Sequence, residues 1–347
     1  MFQPQPNRGE ARCGASLQVV DNPPQATLAH GHAVLLSKIL MAVAVLCALG
    51  TGPARAGALY LPNASFESPV VPFESIPAFP YMDYWQKSPE PGWYASSPYG
   101  SYPWEYYMGT FYNFSSPSTF IDNCDGSQAT FIFAMPDVAI FQDYNSIDSA
   151  STTPSHAFNA TYKVNRAYTF TVGVIGSVYG APPLYDGATL QLSLYYRDAA
   201  SNMVIVAATT VTNSAELFPT NTHLMDFSVH VPGVQSTDAW AGQNIGVQIA
   251  STVGFDKANG YWDIDNARLT ETILTALTDA RMTNGQFGFT LQSEPGLRCD
   301  ILATTNLALP ISAWTNLATL TNVIGTVPFL DPATNLNRRF YRARQLQ

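Results

Sequence analysis

The chain has 347 residues, of which 46% are hydrophobic, 12% aromatic and only 12% charged, with a net charge of −9. So much ring surface repays the entropy of ordering and excludes a disordered chain. Low charge with many Thr, Tyr and Val favours strands over long helices, and the negative balance disfavours nucleic acid, whose phosphates need a basic face.

In chain order, Lys38 is followed by an apolar run, Ile39 to Leu49, that is 11 residues long. Gly50-Thr51-Gly52-Pro53 then breaks any helix, and Ala54-Arg55-Ala56 has the form of a signal-peptide cleavage site. The run is short of the about 20 residues that span a bilayer. Residues 1–56 therefore read as an export signal with an extended N-terminus, and the expected location is extracellular or the cell surface. No later stretch reaches the roughly 18 apolar residues of a membrane helix, so no span is expected in the mature chain. Cleavage after Ala56 leaves 291 residues with two of the four cysteines, Cys124 and Cys299. That is too few for a disulfide-stapled scaffold, and two free thiols are expected.

Charge divides the mature chain. Residues 57–272 carry 6 Lys+Arg against 19 Asp+Glu, a net of −13, whereas 273–347 carry 6 Arg against 4 acids. The shift suggests a larger and a smaller module.

Within residues 79–114 there are 14 aromatics in 36 positions, interleaved with Pro, Gly and Ser. That is loop chemistry rather than strand periodicity. Rings on loops offer flat apolar faces to the C–H bonds of sugars, so Trp85, Trp93, Tyr94, Trp104, Tyr106 and Tyr107 form a candidate glycan platform. The alternative is a loop that folds over the sheets and packs its own rings as a secondary core.

Period-two alternation follows. Tyr168, Phe170, Val172 and Val174 alternate with Thr169, Thr171 and Gly173; Leu190, Leu192, Leu194 and Tyr196 repeat the pattern, as do Met225, Phe227, Val229 and Val231, then Ile245, Val247 and Ile249. Each run predicts a strand with one buried face. Gly180-Ala181-Pro182-Pro183, Asp186-Gly187 and Pro232-Gly233 supply turns. Several short strands at this spacing, without βαβ alternation, predict an all-β antiparallel sandwich of jelly-roll type.

In Trp262-Asp263-Ile264-Asp265-Asn266-Ala267-Arg268-Leu269, Trp262 and Ile264 share one strand face and Asp263 and Asp265 the other. The parity slips between Ile264 and Ala267, which predicts a bulge. Two Asp on one face repel unless they are paired, solvated or metal-bound. Ca²⁺ takes six to eight hard oxygens, and Asn63 and Glu67 near the mature N-terminus offer more. The competing reading is a solvated acidic strand with Arg268 as counter-ion. Residues 269–282 fit a helix face through Leu269, Ile273 and Leu277, but their Thr content favours strands. Beyond them Phe287, Phe289 and Leu291 alternate, then Cys299, Ile301 and Ala303. With Trp314, Leu317 and Leu320 these predict a second, small β domain at the C-terminus.

Catalytic motifs are mostly absent, although a triad or a carboxylate pair assembles from distant positions and leaves no local pattern. There is no G-x-S-x-G, no G-x-x-x-x-G-K-[ST] and no G-x-G-x-x-G, and His156, His223 and His230 form no H-E-x-x-H.

Two resemblances add to this. Asn63-Ala64-Ser65-Phe66-Glu67, paired with Trp262-Asp263-Ile264-Asp265-Asn266-Ala267-Arg268-Leu269, resembles the opening and closing strands of galactose-binding-like jelly rolls, which include many carbohydrate-binding modules. Asp125-Gly126-Ser127-Gln128 and Ile140-Phe141-Gln142 resemble the same family's N-G-x-Q…Q pattern. The resemblance implies that the two end strands lie side by side and hold a structural calcium, with Glu67 and Asp265 foremost among its ligands. Phe287-Gly288-Phe289-Thr290-Leu291, Trp314-Thr315-Asn316-Leu317 and Arg339-Phe340-Tyr341-Arg342 resemble a C-terminal β module common on large secreted proteins of Verrucomicrobia and Planctomycetes.

The expectation is an exported, non-catalytic protein with three parts: the signal (1–56), a calcium-braced jelly roll (57–272) and a small β module (273–347). Its expected partner is a polysaccharide or cell-surface glycan. A matrix or surface-layer component without a small ligand, and a glycan-active hydrolase, are the alternatives.

Overall fold

The computed structural model describes residues 56–72, 80–113, 120–148, 151–176, 183–220, 222–333 and 338–346. The expected export signal up to Arg55 lies outside the described residues, as do Phe79 and Phe114. Among the described residues no helix is long and apolar enough to cross a membrane.

The alternating segments form strands. They are β1 (Gly57–Leu59), β2 (Gln86–Lys87), β3 (Met108–Tyr112), β4 (Gln128–Phe133), β5 (Ala139–Gln142) and β6 (Arg166–Gly176). β7 (Thr189–Arg197), β8 (Met203–Thr212), β9 (Met225–Val231), β10 (Gly246–Ser251) and β11 (Tyr261–Ile273) complete the larger part. One sheet runs β3-β4-β11-β6-β9 with β1 also on β11, and the other runs β2-β5-β10-β7-β8. Every pairing is antiparallel. The chain crosses repeatedly between the sheets, so this part is an antiparallel β-sandwich of jelly-roll type.

Period two sets its core. Tyr168, Phe170, Val172, Val174, Leu190, Leu192, Leu194, Ile245, Val247 and Ile249 are all fully buried in one cluster. β9 follows the pattern only in its second half. Val229 and Val231 are buried, but Met225 is exposed and Phe227 half-buried, on this strand at the sheet's edge.

β11 organises its sheet. Its first half pairs with β4 and its second half with β1, while β6 lies along its other side. The two ends of the sandwich are thus neighbours, Gly57 opposite Glu271. The register slips between Asp265 and Arg268, and Asn266 takes φ 56°. This is the expected bulge. It allows Trp262 and Ile264 before it, and Ala267 and Leu269 after it, to enter the same core.

The chain continues as strands rather than a helix: β12 (Ala276–Thr283), β13 (Gln286–Gln292), β14 (Arg298–Thr304), β15 (Thr315–Thr321), β16 (Thr326–Leu330) and β17 (Phe340–Gln345). They form two three-stranded sheets, β12-β13-β16 and β15-β14-β17, and none pairs with an earlier strand. Phe287, Phe289, Leu291, Cys299, Ile301, Ala303 and Tyr341 make their core, lined by Leu317 and Leu320. Trp314 does not join it. Its ring is half-buried and its indole N–H donates to the Leu309 carbonyl at 3.2 Å, so it caps the loop before β15 instead. Cys124 and Cys299 are free thiols.

Candidate functional site

The aromatic segment packs inward. Trp85, Tyr94, Trp104 and Tyr107 are 2%, 2%, 5% and 8% exposed and belong to the main core. The physical reason is that their polar tips find partners inside. The Trp85 indole donates to Asn63 O (3.0 Å) and that of Trp104 to Ser88 O (2.7 Å). Tyr94 donates to Tyr99 O and Tyr102 O, and Tyr107 to Tyr99 O. With those bonds made, burial of the rings is favourable. These four rings therefore pack into the main core rather than facing solvent as a platform would. Trp93 is half-buried, edge-on to Phe255 at 4.8 Å, its indole donating to Asp137 Oδ2 at 2.7 Å. Of the six candidates only Tyr106 is well exposed, at 47%. The Lys87 ammonium pins the segment by donating to the carbonyls of Pro80, Glu105 and Met108. Burial lowers its pKa to about 8, against the raising influence of Glu105.

The acidic residues separate into two places. Glu67 and Asp265 both grip the loop before β4. Glu67 Oε1 accepts the N–H groups of Ser127 (2.8 Å) and Gln128 (2.7 Å), and Oε2 accepts the Ser127 hydroxyl. Asp265 Oδ2 accepts the Asp125 N–H at 2.6 Å. Gly126 between them has φ +102°, and a Cβ there would come within 2.5 Å of Glu67 Oε1, so only glycine fits. Asp265 is fully buried and its Oδ1 has no hydrogen-bond partner. Burial pushes its carboxyl up to about 7, although the Asp125 N–H pulls the other way. The Cys124 thiol lies against this carboxyl, and both Glu67 oxygens are already taken by the loop, so Asp265 Oδ1 is the carboxylate oxygen left to meet a hard cation here.

Asn63 and Asp263 stand apart from that cradle. The Asn63 amide closes its own turn, donating to Ser68 O and Asp83 O and accepting from Ser68 N. Asp263 is buried on the outer face of β11, between Phe131 of β4 and Ile175 of β6 in register. Among the described residues no three His, Cys, Asp or Glu side chains converge on one point. Arg268 is counter-ion to neither Asp of β11: it bonds Asp226 at 2.5 Å, and the two Asp are buried rather than solvated.

A different place has the form of a binding site. Where β5 and β7 end and β10 begins lies a cavity of about 210 Å³, lined by Asp143, Tyr144, Asn145, Tyr195, Arg197, Asp198, Ser201, Gln243 and Asn244. Asp143 Oδ2 accepts the Tyr195 hydroxyl (2.8 Å) and Arg197 Nε (2.7 Å), and the carboxylate is nearly buried. The Arg197 guanidinium lies 5.6 Å over the Phe141 ring. The Tyr195 ring is fully buried across Gly246, its partner on β10; a Cβ there would meet that ring at 2.2 Å. Opposite β8 the register slips between Leu194 and Tyr195, and such a bulge re-aims the side chains that follow. Tyr144 stacks on His156 at 4.1 Å and 24°. The outcome is a fixed polar frame with one flat ring at its rim.

Sequence reasoning missed this cavity. Its signal was the charged pair Arg197-Asp198 closing an alternating strand, with Asp143-Tyr144-Asn145 directly after Ile140-Phe141-Gln142. A second, more apolar cavity of about 360 Å³ lies between Phe218, Pro219 and Met225, with the exposed Asp122–His223 pair (2.6 Å) at its rim.

No protein-family model and no curated protein matches the chain. Among solved structures it is similar to a cyclase from Fischerella sp. TAU, with 18% identity over 63% of this chain and 98% of that one, at a TM-score of 0.43. It is also similar to the C-terminal family 22 carbohydrate-binding module of Clostridium thermocellum Xyn10B, with 10% identity over 56% of this chain and 89% of the module, at a TM-score of 0.27. A Clostridium thermocellum xylanase carrying such a module matches with 12% identity over 47% of this chain and 24% of that one, at a TM-score of 0.27. Likenesses this distant carry no functional argument. What the chain's own strands define is an all-β protein: an antiparallel sandwich followed by a small pair of sheets.

Proposed function

We propose that this is an exported, non-catalytic protein that binds a saccharide chain, with one sugar unit seated in the cavity at the end of β5, β7 and β10. The cavity itself carries this reading. Asn145, Ser201, Gln243 and Asn244 offer both donors and acceptors, as sugar hydroxyls require. The Tyr144 ring adds an apolar face for sugar C–H bonds. A volume of about 210 Å³ is below the roughly 300–1,000 Å³ of drug-sized ligands and suits a single ring. Export rests on the run Ile39–Leu49 and on Ala54-Arg55-Ala56.

Two features support binding without hydrolysis. A glycosidase needs one carboxyl held protonated beside a second carboxylate. Here Arg197 neutralises Asp143, and Asp198 is held below the ordinary carboxylate range, first by the Asn202 side chain. Asp198 is therefore no proton donor at neutral pH. Glu67 and Asp265, which grip the loop Asp125–Gln128, would be the residues to hold a structural Ca²⁺, which would supply a brace between the two ends of the sandwich. Residues 273–347 form a second module beside the jelly roll.

A glycan array probed with the intact protein tests the reading. Retention on at least one oligosaccharide is expected, and its loss in the Asn145→Ala/Asn244→Ala double variant. Retention unchanged in that variant but abolished by Trp93→Ala or Tyr106→Ala would move the site to the aromatic segment.

A further inference from the structure

We infer that the cavity selects uncharged sugar rings and turns away uronic acids and sulfated sugars; this deepens, and rests on, the saccharide reading. Its charges carry the argument. Three ionised side chains line it: Asp143, Arg197 and Asp198. Arg197 is already engaged. Its Nε holds Asp143 at 2.7 Å and its Nη1 donates to Ser201 O at 2.9 Å. The Asp143 oxygen it holds also takes the Tyr195 hydroxyl, so guanidinium, carboxylate and phenol form one locked unit with no net charge.

Asp198 has no such cation. No Lys, Arg or His lies within ion-pair distance of it among the described residues. Its oxygens are held instead by the Ala200 N–H, the Asn202 N–H and the Asn202 amide. Those bonds stabilise the ionised form without cancelling its charge, which leaves the cavity with one uncompensated negative charge. The rest of residues 57–272 carries a further excess of the same sign, 17 acids against 5 bases once Asp143, Asp198 and Arg197 are set aside. An entering carboxylate or sulfate meets Asp198 at short range and the module's field at long range. A neutral ring meets neither and keeps every hydroxyl contact with Asn145, Gln243 and Asn244.

The test is affinity electrophoresis of the intact protein at low salt and pH 8. The gels contain hydroxyethyl cellulose, galactomannan or arabinoxylan as neutral polymers, and polygalacturonate or alginate as anionic ones. Retardation by at least one neutral polymer and by neither polyanion is expected. Asp198→Asn, which removes the free charge, is expected to raise the ratio of anionic to neutral affinity about tenfold. Asp143→Asn releases Arg197 by a separate route and is expected to shift the ratio in the same direction, so the outcome does not hang on one variant folding. Polygalacturonate retarding the unaltered protein as strongly as a neutral polymer would overturn the selectivity and leave the saccharide reading standing. An unchanged ratio in both variants would do the same. Retardation by no polymer of either kind would remove both.

Discussion

Asp265 reaches 140 residues back along the chain to accept the Asp125 backbone N–H at 2.6 Å, and the other oxygen of the same carboxylate is buried with no partner. Together with Glu67 it ties the opening turn, the loop before β4 and the bulge of β11 into one knot. An ion that binds only the folded state stabilises it by RT ln(1 + [L]/Kd), about 2.7 kcal/mol at a hundredfold excess over Kd. Millimolar CaCl₂ is therefore expected to raise Tm by several degrees over EDTA. Asp265→Asn should abolish that difference. Scanning calorimetry that shows equal melting with and without calcium removes the metal from this site.

The inward packing of the aromatic segment separates its rings by consequence. Trp104→Ala empties a buried site edge-on to Tyr94 at 5.0 Å, and truncating a buried aromatic costs about 3–5 kcal/mol. Tyr106→Ala removes an exposed ring and should stay within about 0.5 kcal/mol. Urea unfolding followed by fluorescence measures both. Equal, small effects would mean that Trp104 is not packed into the core.

Much of this was readable from residue order, for identifiable reasons. A buried face forces alternation, so β6, β7 and β10 were legible. A parity slip forces a bulge, so the kink after Asp265 was too. Burial of loop aromatics has no periodic signature: whether Trp104 faces water depends on Ser88 O lying 2.7 Å from its indole N–H, a contact between segments. The cavity was hidden for the same reason. Asp143, Arg197 and Asn244 come from three strand ends that only the sheet order brings together.

Gly246 is a sharp probe of that assembly. A methyl group there would overlap the Tyr195 ring at 2.2 Å, and Tyr195 cannot move without releasing its bond to Asp143. Overpacking costs about 1–3 kcal/mol and an unmade buried hydrogen bond about as much again. Gly246→Ala is therefore expected to destabilise by about 2–4 kcal/mol and to weaken saccharide retention. Full stability measured by guanidinium unfolding would show that the ring does not lie across β10.

Lys87 gives a pH signature of definite sign. Burial lowers its pKa from the usual 10.5 to about 8, so below pH 8 the charged form is penalised in the folded state and not in the unfolded one. Between pH 8 and about 10.5 the folded chain releases this proton while the unfolded chain still holds it, so stability rises with pH across that window. Buried tyrosines act oppositely above pH 10, so the comparison is with Lys87→Met, which lacks the titration. The stability difference, native minus variant, should widen by about 1–3 kcal/mol from pH 7.5 to pH 9.5. A constant difference in denaturant titrations would place the ammonium in water.

In the C-terminal sheets Asp331 is buried and receives Arg339 Nη1 on both oxygens, at 2.8 and 2.7 Å, and the Tyr341 hydroxyl at 2.6 Å. Removing the cation strands a buried carboxylate, which costs about 3–5 kcal/mol. A core this small holds little stability in reserve, so Arg339→Met should unfold it at moderate temperature. If residues 273–347 are a separate module, calorimetry of the variant will show an early transition of small enthalpy, followed by the sandwich melting at its ordinary temperature. If the variant lowers a single common transition instead, the two parts fold as one unit, coupled through contacts such as the Ile273 N–H on the Glu294 carboxylate.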